Sequence, residues 1–206
     1  MITKISFDKV SHSFADNKIF DNISVELKSG KITVITGSNG AGKSTFLKLA
    51  GQFILPDFGT VKAFEFDKNI DRIIFRKKIA VVAPVMNLYS QLTAVENLKF
   101  FSALRDEILT DSDIDKLFSR VNLNFDSKNK SVGSFSTGMI QRLKFAVLLS
   151  INADVWLLDE PCTNLDEAGK NIVIDEVKSA AAKGKLILMA TNDRDEAKIG
   201  NEFINL

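Results

Sequence analysis

Ile23, Val25 and Leu27 alternate with Ser24, Glu26 and Lys28, a period of two that predicts a strand with one buried face. Ser29-Gly30 turns the chain, and Ile32–Thr36 is β-branched throughout, as suits a central parallel strand covered on both faces. After a glycine-rich stretch, Phe46, Leu47, Leu49 and Ala50 fall at helical spacing, with Gly51 the expected C-terminal cap. Strand, loop and helix therefore follow in order. Gly59 to Phe66 reads as a further strand bounded by Asp57 and Asp67, and Ile79–Ala83 as a short apolar strand stopped by Pro84.

The middle of the chain changes period. Thr93 with Glu96 forms a capping box that opens an amphipathic helix running through Leu104. Ile114, Leu117, Phe118 and Val121 make a second helical stripe, and Ile140, Leu143, Val147 and Leu148 a third, so residues from about 85 to 150 are expected to be a helical insertion. The α/β pattern then resumes. Val155–Leu158 is a buried strand, and Ile172, Val173, Val177 and Ala180 line a helix ended by Gly184. Leu186–Ala190 is another buried strand, and Phe203–Leu206 a last one. Pro56, Pro84 and Pro161 all fall at boundaries, where a fixed φ and a missing N–H do least harm.

Composition narrows the class. A chain of 206 residues with 45% apolar residues can bury the core of one domain. Lys and Arg (27) nearly cancel Asp and Glu (26), so no nucleic-acid partner is expected. The single cysteine, Cys162, excludes an internal disulfide and a cysteine-cluster metal site; the single histidine, His12, is expected at the surface. Phe145–Leu149 and Leu186–Ala190 are far shorter than the roughly 20 apolar residues that cross a bilayer, and no secretory segment opens the chain. A membrane role would run through a partner, from the cytoplasmic side.

Candidate chemistry sits at the junctions. Gly37-Ser38-Asn39-Gly40-Ala41-Gly42-Lys43-Ser44-Thr45 fits the G-x-x-x-x-G-K-[ST] phosphate loop between a β-branched strand and a helix. Phosphates need converging backbone N–H groups. Gly37, Gly40 and Gly42 let the loop wrap tightly, and the helix start aims its positive end at the anion. Lys43 would reach the β- and γ-phosphates, and Ser44 would ligate Mg²⁺. Asp159-Glu160 leaves an apolar strand as two adjacent carboxylates that repel unless a cation or proton intervenes. Asp159 suits Mg²⁺, and Glu160 suits a base that orients and deprotonates water. Phe135-Ser136-Thr137-Gly138-Met139-Ile140-Gln141-Arg142 reads as a Ser-capped helix start and, given its place between loop and acidic pair, as a second anion-binding terminus at Ser136 and Gly138.

On these residues the sequence resembles the ATP-binding-cassette (ABC) family along essentially its whole length. Gly37–Thr45 resembles the Walker A loop, Phe135–Met139 the signature, Leu157–Glu160 the end of Walker B and Asn164-Leu165-Asp166 the D-loop. Leu92–Leu98 resembles a segment frequent in the transporters' helical domain, and Phe14 falls where the family places an aromatic that stacks on adenine, with a core or edge-strand aromatic as its other reading. The resemblance implies an α/β fold: a P-loop NTPase core, an N-terminal antiparallel β subdomain and an inserted helical subdomain, residues 1–206 forming one ATPase domain. It implies ATP and Mg²⁺ as cofactors and a homodimer, or a pair with another such ATPase, that closes head to tail on two ATP molecules. It also implies a transmembrane permease subunit on another chain, which would hold the protein at the inner face of the cell membrane. Ser136-x-Gly138-Met139-x-Gln141-Arg142 resembles two-component exporters, and the short chain with Ile35–Lys43 resembles the haem-exporter ATPase of cytochrome c maturation. The chain stops soon after its last strand, so no C-terminal regulatory domain is expected.

Two departures matter. Where the family has a glutamine after the Ile79–Ala83 strand, this sequence has Pro84, with Val85 beside it; Gln91, further on, is expected at the surface. Where it has a histidine after Leu186–Ala190, this sequence has Asn192, which can hydrogen-bond a γ-phosphate but carries no charge. Glu160 remains, so slow hydrolysis is expected, with Glu160, Lys43 and Asn192 as the catalytic set. The rival reading is a regulatory ATP-binding module with little turnover. A chromosome-type ATPase is disfavoured because the stretch from Ser44 to Ser136 lacks sustained heptads.

Overall fold

The computed structural model describes residues 1–14 and 17–206, the side chains of Phe14 and Asn17 excepted. Two compact units emerge. The first comprises Met1–Ala80, Ala153–Asp159 and Val177–Leu206, the second Val81–Asn152 and Glu160–Glu176.

The first unit holds an antiparallel sheet and most of a parallel one. β1 (Lys4–Phe14), β2 (Asn17–Lys28), β4 (Phe58–Glu65) and β5 (Lys68–Asn69) are ordered β2-β1-β4-β5. In β2 the alternation holds, with Leu27 buried, Ile23 and Val25 half-buried and the polar positions between them exposed. The second sheet runs β6-β7-β8-β3-β9, from β6 (Ile79–Val82), β7 (Val155–Asp159), β8 (Leu186–Ala190), β3 (Ile32–Thr36) and β9 (Glu202–Asn205). β3 pairs in parallel with β8 and β9, and β7 with β8. β8 is buried at every position, as a strand covered on both faces must be.

Helix α1 (Lys43–Ala50) follows β3 and is seated by aromatic packing. Its fully buried Phe46 stacks on Phe7 of β1 at 4.6 Å and meets Phe20 of β2 edge-on at 6.0 Å. Burial of one such ring contributes about 1.5–3 kcal/mol, so β1 and β2 fix where α1 begins. Gly51 does follow α1, but in right-handed geometry; the left-handed turn falls on Gln52, at φ 53°. Gly51 is required instead by space, since a Cβ there would lie 2.6 Å from the Phe53 ring and 2.8 Å from Leu157. α2 (Arg72–Arg76) and α7 (Arg194–Ala197) are short helices capped by Asp71 and Asp193.

The expectation that His12 lies at the surface is wrong. It is buried in β1, with Nδ1 3.5 Å from Asp57 Oδ1, while the other oxygen of Asp57 accepts from Ser13 N at 2.7 Å. Burial in β1 follows the face of the sheet and not polarity: Val10 and His12 share the covered face, while Ser11 between them is half-buried.

The second unit is helical: α3 (Ala94–Ala103), α4 (Asp111–Arg120), α5 (Thr137–Ser150) and the start of α6 (Glu167–Ala182). Both halves of the Thr93–Glu96 capping box form, and Thr110 with Asp113 makes a second on α4. Gln91 is exposed, as expected. Among the described residues no helix is long and apolar enough to cross a membrane.

Candidate nucleotide site

Within the first unit the fold gathers the loop Gly37–Thr45, Asp159 and Asn192. β3 delivers the loop, which turns into α1 at Gly42, the N-cap, with φ 101°. A Cβ at Gly42 would meet Ile19 Cγ2 at 2.4 Å and the Phe20 ring at 3.0 Å, so glycine is required both by dihedral and by space. α1 has no side-chain cap. The starts of α2, α3, α4, α5 and α7 do: Asp71, Thr93, Thr110, Ser136 and Asp193 each accept from a first-turn N–H. The start of α1 thus directs backbone donors and the positive end of its dipole into a loop where Ser38, Asn39 and Gly40 are exposed and Ala41 half-buried.

Lys43 is buried at 8% exposure, and its ammonium donates to Gly37 O at 2.9 Å, Ser38 O at 3.0 Å and Asn192 Oδ1 at 2.7 Å. The Asn192 amide in turn donates to Asn39 Oδ1 at 2.6 Å, so one side chain spans the lysine and the tip of the loop. Asn192 follows β8. Its neighbours are locked there by Thr191 donating to the buried Glu196 at 2.8 Å and by Asp193 capping α7. Ser44 Oγ donates to Asp159 Oδ2 at 2.6 Å. A hydroxyl and a carboxylate converging beside phosphate-directed N–H groups form the hard oxygen set Mg²⁺ prefers, in which one or two protein oxygens share the ion with phosphate and water. Among the described residues no cluster of three or more His, Cys, Asp or Glu is arranged to hold a metal ion. Thr45 is half-buried in the first turn of α1. The Phe14 side chain lies outside the described residues; its backbone closes β1 opposite Asn17.

Glu160, Ser136 and Gly138 belong to the second unit. Glu160 follows β7 directly and is half-buried, with φ 48°. A left-handed dihedral on a residue with a side chain costs on the order of 1–3 kcal/mol and persists only where surroundings enforce it. Ser136 caps α5, accepting from Met139 N at 3.2 Å. A Cβ on Gly138 would come within 3.0 Å of Asn164 O, so the helix start is pressed against the Asn164–Asp166 turn. Asp166 accepts from Gly169 N at 3.0 Å and from Arg142 at 2.5 Å, and these hold its carboxyl below the usual range.

Two side chains of α5 make contacts that sequence reading did not assign, although Gln141 stood in the exporter-like motif. Lys144, at 8% exposure, donates to Ala83 O at 3.3 Å and Pro84 O at 3.1 Å, and burial pushes its pKa down. It therefore ties the segment that carries Pro84 to α5. Gln141, also at 8%, donates to Pro161 O at 2.6 Å. The available signal was position: both fall on the buried side of an otherwise apolar helix, where a polar group must have a partner.

Comparisons with known proteins identify the family. The ABC transporter family model matches residues 20–163. An uncharacterized ABC transporter ATP-binding protein of Bacillus subtilis (strain 168) is 35% identical over 86% of this chain and 80% of its own length. A Nod factor export ATP-binding protein I of Paraburkholderia xenovorans (strain LB400) is 30% identical over 94% of this chain and 64% of its own length, so the chain spans less than two thirds of that relative. A solved dimeric ATP-binding cassette in a post-hydrolysis state, bound to ADP and Pi, superposes with TM-score 0.85 at 23% identity over 98% of this chain and 94% of the other, a likeness of fold. With the phosphate loop, the Ser44–Asp159 pair and a family match over well more than half of its length, the chain belongs to the ABC transporter family as one of its ATP-binding proteins.

Proposed function

We propose that this protein is the Mg-ATP-hydrolysing motor of an ABC transporter, slow in turnover, working as a dimer on a transmembrane permease carried by another chain at the cytoplasmic face of the membrane. Residues 1–206 act as a single ATPase domain with its helical part, from about 85 to 150, inserted in the α/β core. The observation that carries the reading is the uncapped start of α1 behind a glycine loop, with Lys43 inside the loop and Ser44 against Asp159.

The residues divide the work. Backbone N–H groups from Gly37 to Thr45 cradle the phosphates, and the Lys43 ammonium exchanges loop carbonyls for phosphate oxygens. Ser44 and Asp159 would hold Mg²⁺, which when bound would neutralise phosphate charge. Glu160 accepts a proton from the attacking water, and Asn192 turns its amide from Asn39 to the γ-phosphate. Phe14 stacks on adenine. Ser136 and Gly138, at the start of α5, face the nucleotide held by the second protomer.

Slow turnover follows from chemistry at two positions. Pro84 offers no side-chain ligand, and Asn192 offers a neutral donor in place of a charged one. A hydrogen bond to a charged group is worth roughly 1.5–3 kcal/mol, or about ten- to a hundredfold in rate. A regulatory module that closes on ATP without turnover is the second reading, favoured by those same replacements. Steady-state hydrolysis by purified protein, compared with its Glu160→Gln variant, separates the two. The motor reading expects activity clearly above the variant; equality with it selects the regulatory module. Mg-ATP uptake is expected to vanish in Lys43→Ala, and undiminished uptake would overturn both readings.

A further inference from the structure

Glu160 needs an external restraint, because its φ of 48° is unfavourable for a residue with a side chain and Pro161 behind it restricts it further. One such restraint comes from α5. Gln141 is buried and donates to Pro161 O at 2.6 Å, one peptide beyond Glu160. One helical position further, Arg142 donates to Val121 O at 2.8 Å and to Asp166 Oδ1 at 2.5 Å, clamping the far end of the same turn. Within the turn Thr163 N donates to Glu160 O at 3.2 Å and Leu165 N to Cys162 O at 3.1 Å, local bonds that close it without tying it to its surroundings. Gln141 therefore supplies a buried long-range hydrogen bond at the Glu160 end of the turn.

We infer that Gln141 is a positioning residue for the water-activating Glu160: its amide fixes the Pro161 carbonyl, and with it the left-handed conformation that aims the Glu160 carboxylate. The inference rests on the reading of Glu160 as the group that activates water. It places control of the chemical step on the helix that opens with Ser136 and Gly138, five and three residues before Gln141. A hydrogen bond of this kind acts on kcat and not on nucleotide affinity, because it touches neither the phosphate loop nor the Ser44–Asp159 pair.

The test is a double-mutant cycle between Gln141→Leu, which keeps the bulk but cannot donate, and Glu160→Gln. Gln141→Leu is expected to lower kcat roughly three- to tenfold with KM and the dissociation constant for Mg-ATP unchanged. In the Glu160→Gln background the same substitution is expected to leave residual turnover unaltered, since no base remains to be aimed. A fall in affinity that parallels the fall in rate, or an equal loss in both backgrounds, overturns the inference and leaves Gln141 with a purely structural role. Unchanged kcat in Gln141→Leu overturns it as well. If Glu160→Gln alone leaves turnover intact, the reading of Glu160 fails first, and the two failures are distinguishable.

Discussion

In the proposed mechanism Asn192 is the residue whose chemistry would most limit turnover. Its oxygen accepts from Lys43 and its amide donates to Asn39, so at rest it is spent on the loop. As a γ-phosphate arrives, the amide can donate one hydrogen bond but brings no positive charge. Asn192→His is therefore expected to raise kcat, by up to about tenfold for one charge-assisted bond. Steady-state hydrolysis across pH 6–8 checks it, and the gain is expected to be largest on the acidic side, where the new imidazole carries its proton. An unchanged or lower rate at every pH counts against the role given to this position. Much of the site was legible from residues alone, because a phosphate loop must be local: Gly37, Gly42, Lys43 and Ser44 are contiguous, and their partner Asp159 marks itself by ending an apolar strand. Gln141, Lys144 and the burial of His12 were not legible. Each depends on which backbone carbonyl or sheet neighbour the fold brings alongside, and spacing along the chain does not encode that.

Elements with a strong period or a cap were readable, and those held only by neighbours were not. β2 announced itself by alternation, β3 by its unbroken β-branching, and α3 by Thr93 and Glu96. α2 has five residues with Ile73 and Ile74 exposed, so it presents no apolar stripe to find, and α7 is shorter still. The cap on α3 is more than a marker. Thr93 Oγ1 accepts from Glu96 N at 3.2 Å, while the Glu96 carboxylate accepts from Thr93 N at 2.8 Å and from the Thr93 hydroxyl at 2.9 Å; these last two, backbone first, hold the carboxyl below its ordinary range. Thr93→Ala is expected to lower the stability of the helical unit by about 1 kcal/mol, measured by urea unfolding with helix content as the probe. A second element-scale device joins strand ends in the first unit. Glu65, closing β4, accepts at 2.7 Å from Lys78 ahead of β6 and at 2.7 Å from the Met1 amine, and Asp154 ahead of β7 lies 3.4 Å from the Lys78 ammonium. The Lys78 hydrogen bond first, then that from the amine, lower the Glu65 pKa from 4.5 to about 2. A carboxylate depressed in the folded state contributes its stability above the unfolded value, and that contribution drains away as pH falls through the folded one. Stability is thus expected to decline between pH 4.5 and about 2. Glu65→Gln should flatten that limb while leaving the rest of the curve in place, as followed by unfolding midpoints against pH. A limb of unchanged slope in the variant would assign the acid sensitivity elsewhere.

At the scale of the molecule, the chain carries two helix starts suited to a phosphate, and they differ in a way that suggests sequential use. α1 opens without a side-chain cap behind a deep glycine loop, whereas α5 opens with Ser136 already bonded to Met139 N. The first can engulf a triphosphate alone. The second offers one hydroxyl and a close backbone approach at Gly138, enough to add to a nucleotide already held but weak as a site of its own. On the proposed reading, such a pair of sites would make association depend on ATP, the nucleotide in the loop of one protomer supplying the anion for Ser136 and Gly138 of the other, and hydrolysis would then remove the γ-phosphate and release the second contact. Glu160→Gln, which binds without cutting, is accordingly expected to accumulate as a dimer in Mg-ATP and to be monomeric in Mg-ADP, with mass measured by light scattering after size exclusion. Adding Ser136→Arg should return the ATP-loaded variant to monomer without weakening its ATP affinity, because the loop of each protomer remains whole. A monomer at saturating Mg-ATP would remove the dimeric motor, and a dimer indifferent to the Ser136 substitution would move the contact away from α5.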